Sequence, residues 1–202
     1  MNLFLMRHAE AESGAQMDPT RSLTPTGKDQ AKMMGKWLKR QDPSPSLLLQ
    51  SNFKRSQSTA KRVGKKLGLE PVTCGALDPE GTPENAWDTI KKLAVEAGEQ
   101  DVIAISHGPL VENLLAYLTG SDLPQQFHFA HAAVAHFETT TGKRGIMHWL
   151  VTPNVVARDQ DEMDLVRSDA QKAVEAALKY AEACMSAGEA QSAVETTSAL
   201  GL

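Results

Sequence analysis

Short apolar runs alternate along this chain with amphipathic segments of helix length, and this alternation constrains the fold more than any other feature. We predict strands at residues 2–6, 47–49, 71–73, 102–105, 132–137 and 145–151. We predict helices at about residues 25–38, 55–67, 83–97 and 110–118. Strands that alternate with helices are typical of α/β proteins, so we expect a three-layer sandwich with a largely parallel central sheet.

The composition changes after residue 156. Residues 1–156 contain 17 Lys+Arg and 16 Asp+Glu, whereas residues 157–202 contain 4 and 9. Apolar residues recur at alternating spacings of three and four from Met163 to Cys184. This pattern predicts an extra C-terminal amphipathic helix at residues 157–186, which packs on the body or, alternatively, forms a coiled coil. We predict one domain at residues 1–156 and a flexible tail at residues 187–202.

The bulk properties of the 202-residue chain predict a cytoplasmic protein. Its hydrophobic fraction of 41% and charged fraction of 23% are ordinary for a soluble domain. No apolar run approaches the ~18 residues of a membrane span, and the N-terminus lacks the basic leader of a signal peptide. Cys74 and Cys184 are far apart and indicate no disulfide framework. We expect no nucleic-acid and no membrane partner, and the oligomeric state stays open.

Two histidines follow predicted strands directly. Arg7 and His8 end the first apolar run, and His107 follows the run that ends at Ile105 after one intervening residue, Ser106. Functional groups of open α/β sheets collect beyond the carboxyl ends of the strands, so we expect the two imidazoles to share a site. Arg55 lies at the start of a helix that follows another strand. A helix N-terminus favours anions over cations, so an anion bound between the guanidinium and this N-terminus would explain the arginine. The alternative is a surface arginine paired with Glu10 or Glu12.

Two imidazoles and two guanidiniums suit a tetrahedral dianion. Arginine offers planar, bidentate donors to phosphate oxygens, and a neutral imidazole can act as a nucleophile. Such a pocket needs no metal and no cofactor, and we predict neither. The remaining histidines have no partner nearby in sequence and are interpreted as structural or exposed; they are His128, His131, His136 and His148.

Four segments resemble, in order, the motifs of the histidine phosphatase superfamily, which has the phosphoglycerate-mutase-like fold. Residues 5–10 (LMRHAE) resemble its Arg-His-Gly signature, and residues 23–31 (LTPTGKDQA) its Leu-Thr-x-x-Gly-x-x-Gln-Ala element. Residues 51–60 (SNFKRSQSTA) look like its arginine motif, and residues 105–108 (ISHG) like its second histidine motif. The compact length is most similar to the SixA-type phosphohistidine phosphatases.

The resemblance implies roles for individual residues. His8 would accept the phosphoryl group, and Arg7, Arg55 and His107 would complete the phosphate pocket. In SixA-type members an arginine before the Leu-Thr element lies near the phosphate, which here is Arg21. The backbone amide of Gly108 would add a further donor.

The proton donor is the main departure from the family. Mutases and ester phosphatases place a glutamate after the third strand, and the candidates here are Asp78, Glu80 and Glu84. A turn and helix cap is the alternative reading of this segment. Phosphohistidine leaves as imidazole, whose conjugate acid has a pKa of about 6.5, and needs little acid catalysis.

We therefore predict a phosphatase that hydrolyses phosphohistidine on a phosphotransfer protein through a phospho-His8 intermediate. One alternative is a phosphomonoesterase that acts on a phosphorylated small molecule with the help of one of the loop acids. The other alternative, from a different class, is a non-catalytic binding or scaffold protein.

Overall fold

The fold is built on a mixed six-stranded sheet. In the computed structural model, residues 1–120, 128–139 and 145–159 are described. The strands are β1 (Asn2–Arg7), β2 (Leu47–Gln50), β3 (Val72–Thr73), β4 (Asp101–Ser106), β5 (Val134–Thr139) and β6 (Gly145–Val151). The α-helices are α1 (Pro25–Leu38), α2 (Lys54–Leu67), α3 (Pro83–Ala97) and α4 (Leu110–Thr119), and Gly75–Leu77 form a short 3-10 helix.

The strand order is β3-β2-β4-β1-β5-β6. The first four strands of the chain pair in parallel, whereas β5 runs antiparallel to β1 and β6 antiparallel to β5. In the central pair, Arg7 of β1 lies opposite Ser106 of β4. This register brings the residues that follow the two strands, His8 and His107, side by side at one edge of the sheet.

Helices cover both faces of the sheet, because successive side chains of a strand point to opposite faces. Leu3 and Leu5 pack in one core cluster with residues of α3 and α4, such as Trp87. Phe4 and Met6 pack in the other cluster with residues of α1 and α2. The predicted three-layer α/β sandwich is therefore confirmed.

The observed elements lie within about two residues of the predicted ones, with few differences. The strand predicted at residues 132–137 begins at Val134, so His131 lies in the turn before it. The 3-10 helix Gly75–Leu77 was not predicted. Residues 153–159 are helical. From residue 160 onward, the predicted C-terminal helix and tail lie outside the described residues.

No helix within the described ranges combines the length and apolar character that crossing a membrane requires.

Candidate active site

The two strand-end histidines lie next to each other. The ring centroids of His8 and His107 are 5.0 Å apart, and the two residues are only 5% and 1% exposed. β2 pairs with β4, so the segment from Ser51 to the start of α2 lies at the same edge of the sheet. Arg55, in the first turn of α2, thereby reaches His8. The predicted convergence of these three side chains is observed.

The hydrogen bonds of His8 define its tautomer. Nδ1 lies 2.8 Å from the Ala9 carbonyl oxygen, which can only accept, so Nδ1 carries the proton. The Nε–H of Arg55 donates to His8 Nε2 at 3.1 Å, which requires an unprotonated nitrogen there. Both contacts agree with a neutral imidazole whose Nε2 lone pair faces the arginine.

The Leu-Thr-x-x-Gly-x-x-Gln element supports the loop that follows His8. The Thr24 hydroxyl caps α1 by accepting from the Gly27 amide and donates to the Glu10 carboxylate at 2.6 Å. The Gln30 side chain accepts from the Glu10 amide. A Cβ on Gly27 would lie 1.9 Å from the Glu10 carbonyl oxygen, so only glycine fits this approach. The element therefore fixes the backbone that carries the Nδ1 partner of His8.

Arg55 is a buried cation, 1% exposed. Its two terminal nitrogens donate to the carbonyl oxygens of Asp18 and Gln16 at 2.9 and 2.8 Å. It lies over the Phe53 ring, 4.7 Å from the centroid. Burial is the main cause that lowers the pKa of Arg55 to about 10, which leaves it charged at neutral pH. The alternative interpretation, a surface arginine paired with Glu10 or Glu12, is wrong.

Arg7 is held by a chain of contacts that begins on α4. The Arg7 guanidinium donates to the Phe129 carbonyl at 2.5 Å, and the Phe129 amide donates to the buried Glu112 carboxylate at 2.9 Å. Burial lowers the pKa of Arg7, and the Glu112 charge opposes this shift. Glu112 thus orients Arg7 through the backbone of Phe129.

His107 has its own orienting partner in Ser51. The Ser51 hydroxyl oxygen lies 2.7 Å from His107 Nε2 and accepts from the Phe53 amide at 3.1 Å. Among the described contacts of Ser51, His107 Nε2 is the atom that can accept the hydroxyl proton. Nδ1 of His107 then carries the ring proton as a donor.

A cavity of about 670 Å³ opens over Arg7, His8 and Arg55, and His107 lies behind His8 outside its described lining. We call it the His8 cavity; its lining comprises Arg7, His8, Ala11, Glu12, Ser13, Gly14, Gln16, Arg21, Arg55, Gly108, Pro109, His128 and His131. Three buried nitrogens of this region have no hydrogen-bond partner in the described part of the chain: Arg7 Nε, Arg21 Nε and His107 Nδ1. Each costs about 1–3 kcal/mol when left unpaired, so an oxyanion that accepts from them would be stabilised.

Two further predicted residues lie at the His8 cavity. Arg21 lines it, and one terminal nitrogen of Arg21 donates to the Glu12 carbonyl at 2.9 Å. Gly108 lines it as well, and its carbonyl accepts from the Gln16 side chain at 2.8 Å.

The three acidic candidates are placed elsewhere. The Asp78 carboxylate accepts from the backbone and side-chain amides of Asn52 at 2.8 and 2.9 Å. Glu84 lies in the first turn of α3, where its charge suits the helix dipole, and Glu80 is exposed. The described lining of the His8 cavity contains none of the three, and the carboxylate that it does contain is Glu12.

His131 belongs to the site, which corrects its interpretation as a structural or exposed residue. Its ring centroid lies 5.6 Å from that of His8, and it lines the His8 cavity. The next residue, Ala132, has a φ of 58°, and its amide donates to the His8 carbonyl at 3.2 Å. This left-handed turn holds His131 beside His8. The sequence signal for it is weak, because an alanine rarely takes this conformation.

Both central histidines are neutral at physiological pH. Burial is the main cause that lowers the pKa of His8 to about 3, and Arg55 and Arg7 lower it further, against the opposing hydrogen bond to Ala9. Burial, followed by His8 and the arginines, lowers the pKa of His107 to about 2.

These low pKa values predict a loss of stability in acid. The unfolded chain takes up protons below about pH 6.5, whereas folded His8 does so only near pH 3. The contribution of each histidine is therefore fully present above about pH 6.5 and falls by up to about 1.4 kcal/mol per pH unit as the pH drops. We expect denaturant titrations between about pH 7 and 4.5 to show a shallower decrease for His107→Gln than for the wild type. An unchanged decrease in that variant would contradict a neutral, buried His107.

The chain is similar to several phosphatases in sequence. A sequence model of the histidine phosphatase superfamily (branch 1) matches residues 3–79. The phosphohistidine phosphatase SixA of Escherichia coli is 33% identical over 156 residues, which cover 76% of this chain and 94% of that protein. The SixA homolog of Haemophilus influenzae is 34% identical over 142 residues, which cover 66% and 86%.

The similar solved structures include a protein of the same kind as the sequence relatives. A structure of the protein histidine phosphatase SixA complexed with tungstate superimposes with a TM-score of 0.69 at 32% identity, and the match covers 77% of this chain and 99% of that one. A mycobacterial glucosyl-3-phosphoglycerate phosphatase, at 16% identity and a TM-score of 0.63, covers 73% and 97% and shares the fold. This chain, with the phosphoglycerate-mutase-like fold, belongs to the histidine phosphatase superfamily.

Proposed function

We propose that the protein is a phosphohistidine phosphatase that hydrolyses phosphohistidine on a phosphotransfer protein through a phospho-His8 intermediate. The similarity to SixA of Escherichia coli and Haemophilus influenzae supports this substrate class. So does the similarity to a SixA structure that holds tungstate, a tetrahedral oxyanion like phosphate.

One observation carries the proposal: Arg7, Arg21 and Arg55 line one cavity with His8, whose unprotonated Nε2 accepts from Arg55. A phosphoryl group in the His8 cavity accepts hydrogen bonds from these donors while its phosphorus faces the His8 lone pair. Preorganised donors of this kind, charged in the arginines and neutral in His107, are the main source of catalysis in phosphoryl transfer.

The first step transfers the phosphoryl group to His8. Nε2 of His8 attacks phosphorus in line, the P–N bond of the substrate breaks, and the substrate ring, protonated on its other nitrogen, leaves as neutral imidazole. Arg55 Nε–H, which donates to this lone pair at rest, moves to a phosphoryl oxygen when the substrate enters. Arg7, Arg55 and His107 stabilise the equatorial oxygens as charge shifts.

The second step regenerates the enzyme. A water oxygen attacks phosphorus from the side that the substrate imidazole has left, and the bond between phosphorus and Nε2 breaks. Inorganic phosphate departs, and His8 returns to its neutral Nδ1–H tautomer, held by the Ala9 carbonyl. The net reaction converts phosphohistidine and water to histidine and phosphate.

The positions of the acids favour P–N over P–O cleavage. The Asp78 carboxylate accepts hydrogen bonds from Asn52. Glu84 lies in the first turn of α3, where it interacts with the helix dipole. An alkoxide leaving group needs a strong general acid, whereas an imidazole leaving group does not. None of the three predicted acids is in the described lining of the His8 cavity, which supports phosphohistidine; an ester substrate would have to use Glu12, the carboxylate in that lining, as its acid.

The test of the function is a competition on one preparation. A phosphohistidine peptide and a phosphoserine peptide of the same sequence are offered together, and phosphate release from each is followed. We expect kcat/KM for phosphohistidine to exceed that for phosphoserine by about 100-fold or more, because only the ester needs an acid. Equal values, or a preference for phosphoserine, would favour a phosphomonoesterase.

Ser51 is expected to act on catalysis by positioning His107. Ser51→Ala removes the hydroxyl from His107 Nε2, so the ring no longer favours the tautomer with a donor at Nδ1. The loss of one such hydrogen bond corresponds to about a tenfold decrease in kcat/KM. Steady-state kinetics and the ¹⁵N chemical shifts of the His107 ring measure the two effects.

Ser46→Ala is the matched control for Ser51→Ala. Ser46 also donates a side-chain hydrogen bond, to the Asp101 carbonyl at 3.2 Å, but it precedes β2 whereas Ser51 follows it. We expect wild-type kcat/KM for this variant. A Ser51→Ala enzyme that keeps wild-type kcat/KM and a protonated His107 Nδ1 would disprove the positioning role.

We assign these steps to residues 1–156, the predicted catalytic domain, and we place the reaction in the cytoplasm. Reducing conditions there would keep the buried thiol of Cys74 free, as it is in this structure.

A further inference from the structure

The charges of the domain are segregated between its two helical layers. Residues 24–70, which include α1 and α2, contain 11 Lys+Arg and 3 Asp+Glu. Residues 71–120, which include α3 and α4, contain 2 and 8. Because the two helix pairs cover opposite faces of the sheet, one outer layer is basic and the other is acidic. The net charge of residues 1–156 is close to zero, so it does not reveal this separation.

The basic layer contains a recess between α1 and α2. Its volume is about 460 Å³, and Lys32, Ser58, Lys61, Arg62, Lys65 and Lys66 line it. We call it the basic groove. Its described lining contains no carboxylate, although one of its cations, Lys32, forms an ion pair with Asp29 at 3.1 Å in which both side chains are largely exposed.

The cations of α2 repel one another. This helix contains no acidic residue. Lys61 and Lys65 are four residues apart, as are Arg62 and Lys66, and like-charged pairs at this spacing destabilise a helix by about 0.2–0.5 kcal/mol each. The helix dipole favours Lys65 and Lys66, which lie in the last turn, but not the cations before them. A bound anionic group would relieve this repulsion.

The composition of the basic groove favours an acidic protein over other polyanions. Its lining offers no aromatic ring on which a nucleic-acid base could stack. Membrane-binding helices insert apolar side chains, and the described exposed large apolar residues lie elsewhere: Met17, Val72, Val95, Ile146, Met147 and Val155. Carboxylates need neither feature, and several of them fit a recess of this size.

The basic groove and the His8 cavity share one helix. Arg55, in the first turn of α2, contacts His8, and Arg62 lies seven residues further along, which corresponds to about 10 Å of helix axis. The basic groove is therefore within reach of the surface that surrounds a phosphohistidine side chain inserted into the His8 cavity.

We propose that the basic groove docks acidic side chains of the phosphohistidine-bearing protein and so selects substrates that have carboxylates beside the phosphorylated histidine. This inference rests on the proposed function and specifies its substrate class. Such charge pairing acts mainly on association and on partner choice. It should therefore change kcat/KM for protein substrates and leave the chemistry of small substrates unchanged.

Two synthetic phosphohistidine peptides test the proposal. They are identical except that four Asp or Glu residues, placed four to seven positions from the phosphohistidine, are Asn or Gln in the second peptide. An extended chain of this length spans about 13–23 Å, which reaches the basic groove. We expect the wild type to prefer the acidic peptide by about tenfold in kcat/KM at low salt. The preference should shrink as salt shortens the Debye length.

Matched charge reversals locate the effect. The double variant Lys61→Glu/Lys65→Glu is expected to lose the preference for the acidic peptide. The control Lys91→Glu/Lys92→Glu changes the net charge equally, on exposed positions of α3 in the acidic layer, and is expected to keep it. Phosphoramidate, a small P–N substrate, should be hydrolysed at the same rate by all three proteins.

Several results would overturn the docking proposal. It fails if the wild type treats both peptides alike, if Lys61→Glu/Lys65→Glu keeps the preference, or if the control loses it. It also fails if the basic groove binds single-stranded RNA or anionic vesicles and shows no preference for the acidic peptide. If no protein hydrolyses phosphoramidate, the proposed function fails instead. Fluorescence anisotropy with the unphosphorylated acidic peptide then still decides whether the basic groove docks acids.

Discussion

Replacing His8 with alanine is expected to lower kcat by at least about 10⁴-fold, as the loss of a nucleophile does in other covalent mechanisms. The variant lacks the Nε2 lone pair that forms the bond to phosphorus, and no other described imidazole has the same pair of orienting contacts, the Ala9 carbonyl and the Arg55 Nε–H. Turnover of a phosphohistidine peptide, measured as phosphate release, checks this expectation. The arginines remain in the variant, so it should still bind inorganic phosphate.

His148→Ala is the control for His8→Ala. His148 is an exposed histidine of β6 that pairs with Glu138 at 3.1 Å, so its removal should leave kcat unchanged. A His8→Ala enzyme that retains more than about one hundredth of wild-type kcat would be incompatible with His8 as the nucleophile.

Arg55→Ala is expected to lower kcat/KM by about 10³-fold, comparable to the loss of one preorganised charged donor. The guanidinium contacts His8 and also joins two carbonyls of the loop before Arg21, those of Gln16 and Asp18. Its removal therefore takes a charge from the phosphate site and a restraint from the cavity wall. Arg55→Lys keeps the charge, but its compact ammonium cannot reproduce the planar fork that contacts three separate acceptors, and we expect at least about a 100-fold decrease.

The Arg55 variants need a measure of folding, because the side chain is buried. Thermal unfolding identifies any variant that fails to fold, and Arg55→Lys retains the tail that packs beside Phe53. Arg62→Ala, on the same helix but outside the His8 cavity, is expected to hydrolyse phosphoramidate like the wild type. Near-wild-type kcat/KM in a folded Arg55→Ala enzyme would contradict its role in phosphate binding.

The central architecture could be predicted from the sequence because local patterns determine it. Apolar runs followed at once by Arg7-His8 and Ser106-His107 indicate buried strands that end in polar groups, and the rule for parallel sheets then places these groups at one edge. The pairing of β1 with β4 could not be derived from local patterns, because Leu3 and Val102, which lie opposite each other, are 99 residues apart. The resemblance to the family motifs implied this pairing, because the family fold brings the two histidine motifs together.

The remaining parts of the site depend on contacts between loops. His131 lies beside His8 because the Ala132 amide binds the His8 carbonyl, and no periodicity in residues 128–131 indicates this. The carbonyls of Gln16 and Asp18 reach Arg55 from a loop without regular structure. Asp78 is directed to Asn52, 26 residues earlier, whereas its sequence context allowed a role as a proton donor.

Trapping the phosphoenzyme tests the central claim most directly. The enzyme is mixed with a phosphohistidine peptide that carries a labelled phosphoryl group, the reaction is quenched with alkali within milliseconds, and the labelled residue is identified by mass spectrometry. We predict an acid-labile phosphoryl group on His8 that forms and decays at least as fast as kcat. A label on His107 or His131, or phosphate release without any labelled enzyme, would contradict the mechanism.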